Sequence, residues 1–287
     1  TLTIVEGRVL ADAVKKHKRV FQTCSENRSI ENYHRMCELV RNGRIGKLQH
    51  IEVALPRGHS VRPASFDISP SPPGLDYDMW LGQAPWAPYC AARCHWNFRW
   101  ILDYSGGMLT DWGAHMIDLA QWGNDTEHTG PIEVEGKGKF PPAGLYNTAT
   151  DFDISYRYAN GATMNVSASQ PGIRFEGDKG WIECDGWRGK LVANPPSVLD
   201  SKIGPGEIHL YTEPQGEHRN FLDCVKSRKP CYAPAEVGHR TVTIAHIGNI
   251  SMLLGRKLKW DPNKERFEGD DEANKMLSRP MRPPWTL

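Results

Sequence analysis

The strongest constraint on the fold lies in the middle of the chain, where apolar and polar residues alternate with period two. "IEVEGKGKF" (Ile132 to Phe140), "FDISYRY" (Phe152 to Tyr158), "ATMNVSAS" (Ala162 to Ser169) and "IRFEGDKGWIEC" (Ile173 to Cys184) all show it. A strand turns successive side chains to opposite sides, so this alternation marks a sheet with one buried face. Asn160-Gly161 and Asp178-Lys179-Gly180 supply turns, which makes the sheet antiparallel in this region. "EIHLY" (Glu207 to Tyr211) alternates in the same way and predicts one more strand.

The opening has a different rhythm. Thr3 and Glu6 have the spacing of a capping box, and Val5, Val9, Leu10, Ala13 and Val14 predict the apolar face of a first helix. A short strand from Arg19 to Thr23 is expected next, then a helix from Ser29 to about Asn42, then the strand "LQHIEVAL". Helix–strand–helix–strand is the order of a βαβ protein, and it resembles the end of a domain whose first part is not in this sequence. Residues 56–105 hold many prolines and aromatics and predict a long ordered loop. A helix is expected from Asp111 to Trp122. Two more close the chain, the last stopping at Gly255, before an irregular tail from Trp260.

A length of 287 residues has a prior of about two domains. The net charge is +1, with Lys and Arg dispersed among Asp and Glu. That removes the electrostatic case for a nucleic-acid partner or a polybasic membrane patch. No apolar run approaches the roughly 18 residues that span a bilayer. The seven cysteines form no C-x-x-C pair. The closest set, Cys90, Cys94 and His95, has no distant fourth ligand, so no metal is expected. Free thiols suit a cytoplasmic setting, and any export signal would lie upstream of Thr1.

The stretch with the most chemistry is "GGMLTDWGAHMIDLAQW" (Gly106 to Trp122). Asp111, His115 and Asp118 fall at i, i+4 and i+7, on one helical face. Spacing alone leaves three readings open: a capped helix start using Thr110 or Asp111, a metal site short of a ligand, or an acid/base pair. Gly106-Gly107 add room for a ligand to approach the backbone.

The same stretch resembles the GG-x-x-x-D-x-G-x-H-x-x-D signature of the Gfo/Idh/MocA family of NAD(P)-dependent sugar and cyclitol oxidoreductases. "SENRSIENYHRMCELVRNGRIGKLQHIEV" is similar to that family's passage from nucleotide domain to substrate domain. "LGQAPWAPYCAARCHWNFRWILDYSGG", "NFLDCVKSRKP" and "ANKMLSRPMRPPWTL" resemble a bacterial subgroup with extended loops.

The resemblance implies an α/β (α+β) fold. Residues 1–48 would be the remnant of a Rossmann domain. Residues 49–287 would be a substrate and oligomerisation domain, a mixed or antiparallel open sheet with helices on one face and a C-terminal tail. It implies that Asp111 and His115 are catalytic, with His115 moving the proton, and that Asp118 is structural. A sugar or cyclitol substrate, NAD or NADP in the complete protein, and a homo-oligomer joined through apolar sheet faces are also implied. The family's GxGxxG and Glu-Lys-Pro motifs are missing from this sequence, so this chain alone is not expected to bind the dinucleotide.

Further site residues are expected around these. Asn27 and Arg28 follow the predicted strand end, where α/β proteins place ligand contacts; both are expected at the cofactor and Arg28 also at the substrate. Arg93, His95, Trp96 and Arg99 combine aromatic faces with charged donors and are expected to bind substrate. Tyr77, Asp78 and Trp80 are weaker candidates, and His239 to Thr241 are expected to pack at a helix start. Two other functions fit the same residues: a non-catalytic carbohydrate-binding or assembly module, and an NAD-dependent glycosidase that cleaves through transient oxidation.

Overall fold

A computed structural model describes all 287 residues. Helices α1 (Ile4–Lys16) and α2 (Glu31–Arg41) lead to strand β1 (Leu48–Leu55), and a long loop holding α3 (Tyr77–Leu81) leads to α4 (Met108–Gly123). Strands β2 (Glu133–Lys139), β3 (Asp151–Arg157), β4 (Thr163–Ala168), β5 (Gly172–Gly177), β6 (Gly180–Asp185) and β7 (Leu191–Asn194) follow. Helices α5 (Ser197–Asp200), α6 (Glu217–Ser227) and α7 (Ala235–Leu254), strands β8 (Leu258–Asp261) and β9 (Arg266–Phe267), and α8 (Asp271–Lys275) complete the chain.

The strands form one open sheet in the order β7-β6-β5-β1-β4-β3-β2-β8-β9. Only β1 and β4 run parallel; every other neighbouring pair is antiparallel. This is largely the antiparallel sheet that the alternation predicts, with the parallel β1–β4 pair giving the mixed character that the resemblance implies. Ile51, Val53 and Leu55 of β1 share the buried face with Phe152, Ile154 and Tyr156 of β3 and Met164 and Val166 of β4. Against that face pack α4, through Met116, Ile117 and Leu119, and α7, through Ile244, Ile247 and Ile250. The Tyr156 hydroxyl donates to the Ile244 carbonyl at 3.0 Å, so even the phenol is satisfied inside the core.

The opposite face corrects one expectation. It carries His50, Glu52, Arg174, Glu176, Glu183 and Asp153, so it is polar where an apolar face was expected. Within the face Arg174 pairs with Glu176 at 2.7 Å, and the His50 ring contacts Glu52 at 2.6 Å.

The capping box forms: Thr3 Oγ1 accepts from the Glu6 amide at 3.2 Å, and Glu6 Oε2 accepts from the Thr3 amide at 3.1 Å. The buried face of α1 is not the expected one. Ile4, Gly7 and Ala11 are buried, while Val9 and Leu10 are exposed. Small residues win here because α1 lies tight on α7; a Cβ on Gly7 would stand 2.3 Å from His239 Nδ1.

Two predicted strands do not form. Residues 19–23 have no ladder partner; the Thr23 amide donates to the Ala233 carbonyl and no strand follows from it. Residues 207–211 are held by side chains of α2 and the residue after it. Asn42 Oδ1 accepts from the Ile208 amide at 2.9 Å, and Glu38 Oε1 from the Leu210 amide at 3.0 Å. Side-chain acceptors thus do the work a neighbouring strand would do. The tail after Trp260 is more regular than expected, with β9 pairing β8 and α8 capped by Asp270. No helix is long and apolar enough to cross a membrane.

Candidate active site

The start of α4 depends on its two glycines. Gly107 is the N-cap at φ 70°, a conformation that L side chains rarely adopt, and a Cβ there would stand 2.6 Å from Thr148. The Thr110 hydroxyl accepts from the Gly106 amide at 3.0 Å and so ties the turn to the helix. Asp111 makes no capping bond. Its carboxylate is therefore available, and Arg99 Nη1 donates to it at 2.8 Å. Arg99 is itself stacked on Trp96, its guanidinium 3.6 Å from the ring centroid, and Arg62 covers the other face of that indole at 3.7 Å.

One turn further on, His115 faces Glu26, which lies in a short 3-10 turn (Glu26–Ser29) before α2. Glu26 Oε2 stands 3.2 Å from His115 Nδ1. Burial alone would lower the imidazole pKa. The Glu26 carboxylate, with Asp111 and Asp118 behind it, outweighs burial and raises it above the ordinary histidine value. Burial likewise pushes Glu26 up, and His115 more than offsets that, leaving the carboxyl below its ordinary value. The indole of Trp187, from the loop joining β6 and β7, meets the imidazole edge-on at 5.6 Å.

Asp111 and His115 border a cleft of about 730 Å³ between α1, α4, α7 and the loop before α4, with Phe21, Ser25, Arg99 and Tyr104 also in its lining. The cleft is the size of a small-molecule site and has a carboxylate and an imidazole on one wall. No group of three His, Cys, Asp or Glu side chains is arranged to hold a metal, and all seven cysteines are free.

The other expected site residues separate. Arg28 is buried behind the helix, where its Nε and Nη2 donate to Asp118 at 2.7 and 2.8 Å. Burial works against its charge, and Asp118 more than offsets that, so the guanidinium pKa is raised. It does not line the cleft beside His115: its donors go to Asp118, Glu127 and the Tyr232 carbonyl, and it borders a separate cavity of about 710 Å³ together with Trp122, Glu127 and Tyr232. Asn27 is fully buried and its amide has no hydrogen-bond partner; it too is outside that cleft. Arg93 turns to the Tyr104 hydroxyl at 3.1 Å and supports a cleft residue from behind. His95 is exposed at φ 55°, and Trp96 donates to the Ser60 carbonyl; neither lines the cleft.

Tyr77 donates to the Ala87 carbonyl, Trp80 stacks on Tyr77 at 5.7 Å, and Asp78 pairs with Arg282. His239 lies 2.8 Å from Glu265 near the start of α7, and it and Thr241 also line the cleft that Asp111 and His115 border. Sequence reasoning missed Glu26 and the Trp187–Arg188 loop. Neither carries a sequence signal linking it to residue 115.

Comparisons with known proteins agree with this architecture. Residues 57–287 match the model of an oxidoreductase family, C-terminal alpha/beta domain. No curated protein matches the chain. Among solved structures, aldose-aldose oxidoreductase from Caulobacter crescentus complexed with glycerol superposes with a TM-score of 0.61 at 14% identity, covering 90% of this chain and 69% of that one. The WlbA dehydrogenase from Bordetella pertussis in complex with NADH and UDP-GlcNAcA gives 0.64 at 14% identity, over 91% and 70%. Levoglucosan dehydrogenase in complex with NADH and L-sorbose gives 0.62 at 16% identity, over 90% and 70%. At these identities the likeness is one of fold.

Proposed function

Because the chain belongs to the Gfo/Idh/MocA oxidoreductase family, we propose that its cleft serves oxidation or reduction at a carbinol carbon of a sugar or cyclitol, with His115 carrying the hydroxyl proton. The observation that carries this reading is the placement of His115 and Asp111 one turn apart on the cleft wall. His115 takes the proton as the C–H bond breaks and returns it in the reverse direction. Asp111, held by Arg99, presents a fixed carboxylate beside it to orient a substrate hydroxyl.

A nicotinamide, when bound, supplies the hydride acceptor or donor. The sequence has no glycine-rich phosphate loop after a strand. The residues present therefore fit the reacting end of such a site and do not make a dinucleotide cradle of their own. We assign residues 1–48 to the nucleotide-binding side and 49–287 to the substrate side, with the family match beginning at residue 57 in support.

The test is turnover of pyranoses and cyclitols by the protein, with NAD or NADP. His115→Ala is expected to lower kcat by about 100-fold or more, the usual contribution of a positioned acid/base group. Turnover near that of the unmodified protein would refute the assignment.

A further inference from the structure

The carboxylates around His115 differ in how far each is already neutralised. Asp118 is bound by two Arg28 donors at 2.7 and 2.8 Å, and Asp111 by Arg99 at 2.8 Å. Glu26 is the one in contact with the imidazole, and its only cationic neighbour besides His115 is Arg188, 3.6 Å away. The field that His115 feels is thus dominated by Glu26, because the two aspartates carry their own counter-charges. Geometry adds a direction. Nδ1 is the ring nitrogen sealed from solvent; it makes no formed hydrogen bond, and Glu26 Oε2, 3.2 Å away but off the line of the N–H, is the carboxylate oxygen that a small rotation would bring to it. An Nδ1–H beside a carboxylate leaves Nε2 as the basic, cleft-side atom.

We propose that Glu26 is a positioning residue for His115: it holds the proton of the neutral imidazole on Nδ1, strengthens Nε2 as the base, and is in turn held by Arg188. Three separate segments converge to build this: the 3-10 turn before α2, helix α4, and the loop between β6 and β7. That loop also lays Trp187 against Trp112 at 4.6 Å, which fixes one side of the imidazole's surroundings. The arrangement parallels the carboxylate that orients a catalytic or metal-bound histidine from behind.

The proposal rests on His115 as proton carrier only for its effect on turnover; the pairing itself is read without substrate or cofactor. The experiment is long-range 1H–15N NMR of the labelled chain across pH, with the His115 signals identified by their loss in His115→Asn. The neutral ring is expected as the Nδ1–H tautomer, with a pKa above the ordinary histidine value. Glu26→Gln is expected to lower that pKa by on the order of one unit and to mix the tautomers. Glu26→Asp, which keeps the charge, is expected to restore most of the shift.

An unchanged pKa and tautomer in a folded Glu26→Gln chain would overturn the proposal. A flat result there would leave the proton-carrier reading to stand or fall on the His115→Ala assay. Should the Gln variant not fold, Arg188→Ala tests the same contact from the other side. It frees the Glu26 carboxylate for His115 and is expected to raise the imidazole pKa; no change, or a fall, would count against the proposal.

Discussion

Helix α4 carries two arginine–aspartate pairs seven residues apart, and they are built to opposite ends. At Asp118 the pair is closed: the side chains of Arg28 and Asp118 are 2% and 1% exposed, both carboxylate oxygens are bonded, and the Thr241 hydroxyl adds a third donor at 3.2 Å. At Asp111 the pair is open: Arg99 and Asp111 are 17% and 27% exposed and border the cleft. The residue types of the two pairs are the same; the packing and the number of donors differ, three on Asp118 and one on Asp111. Burial turns an ion pair into a structural lock, whose members cannot be removed singly and cannot be offered to a ligand. Partial exposure weakens the pair as a stabiliser and leaves carboxylate lone pairs for a substrate hydroxyl.

That contrast is sharpest in unfolding free energy. Asp118→Ala removes both short partners of the buried Arg28 guanidinium and leaves only Glu127, 3.5 Å from Nη1, so a loss of up to about 3–5 kcal/mol is expected. Denaturant unfolding monitored by tryptophan fluorescence would measure it, and a loss under about 1 kcal/mol would mean water reaches Arg28. Asp111→Ala, at the open pair, is expected to cost only about 0–1 kcal/mol. If both substitutions cost the same, the division of the helix into a structural end and a chemical end is wrong.

The division also decides what the sequence could tell. The face shared by Asp111, His115 and Asp118 follows from helical spacing, and the sheet from its alternation, because both are periods of the chain itself. Which of the three faces water does not follow from spacing. It depends on Arg28 meeting Asp118 across 90 residues, and on Glu26 meeting His115 across 89. Arg28 was legible as an arginine beside a predicted strand end, which is a ligand-binding position in α/β folds. Its use as a lock is a tertiary fact. The failed strand at residues 207–211 has the same cause, since acceptors on α2 and Asn42 took the amides that alternation had assigned to a ladder. Gly7 misled for a related reason: the apolar count favoured Val9 and Leu10, while close helix packing favoured the smallest residue.

Between the two arginine pairs sits the Glu26–His115 contact, whose contribution to stability should be the smallest of the three and the only one bounded on both sides by pH. His115 is raised above its reference of 6.5, so its share is full below that pH and is lost as pH rises through the folded value. Glu26 is lowered below its reference of 4.5, so its share is full above that pH and is lost as pH falls through the folded value. The coupling is therefore greatest between 4.5 and 6.5. The total stability cannot report it, because buried His246, pushed down to about 4, also destabilises the fold as pH falls below the ordinary histidine range. A double-mutant cycle of Glu26→Gln and His115→Gln cancels that background. With both side chains about a quarter exposed, the coupling should be a few tenths to about 1 kcal/mol near pH 5.5 and should fall, without vanishing, as pH rises through the folded His115 value, where only the Nδ1–H contact of the neutral ring remains. A coupling that grew with pH would mean that the imidazole meets Glu26 as a neutral ring throughout, and that the middle of α4 belongs with its closed end.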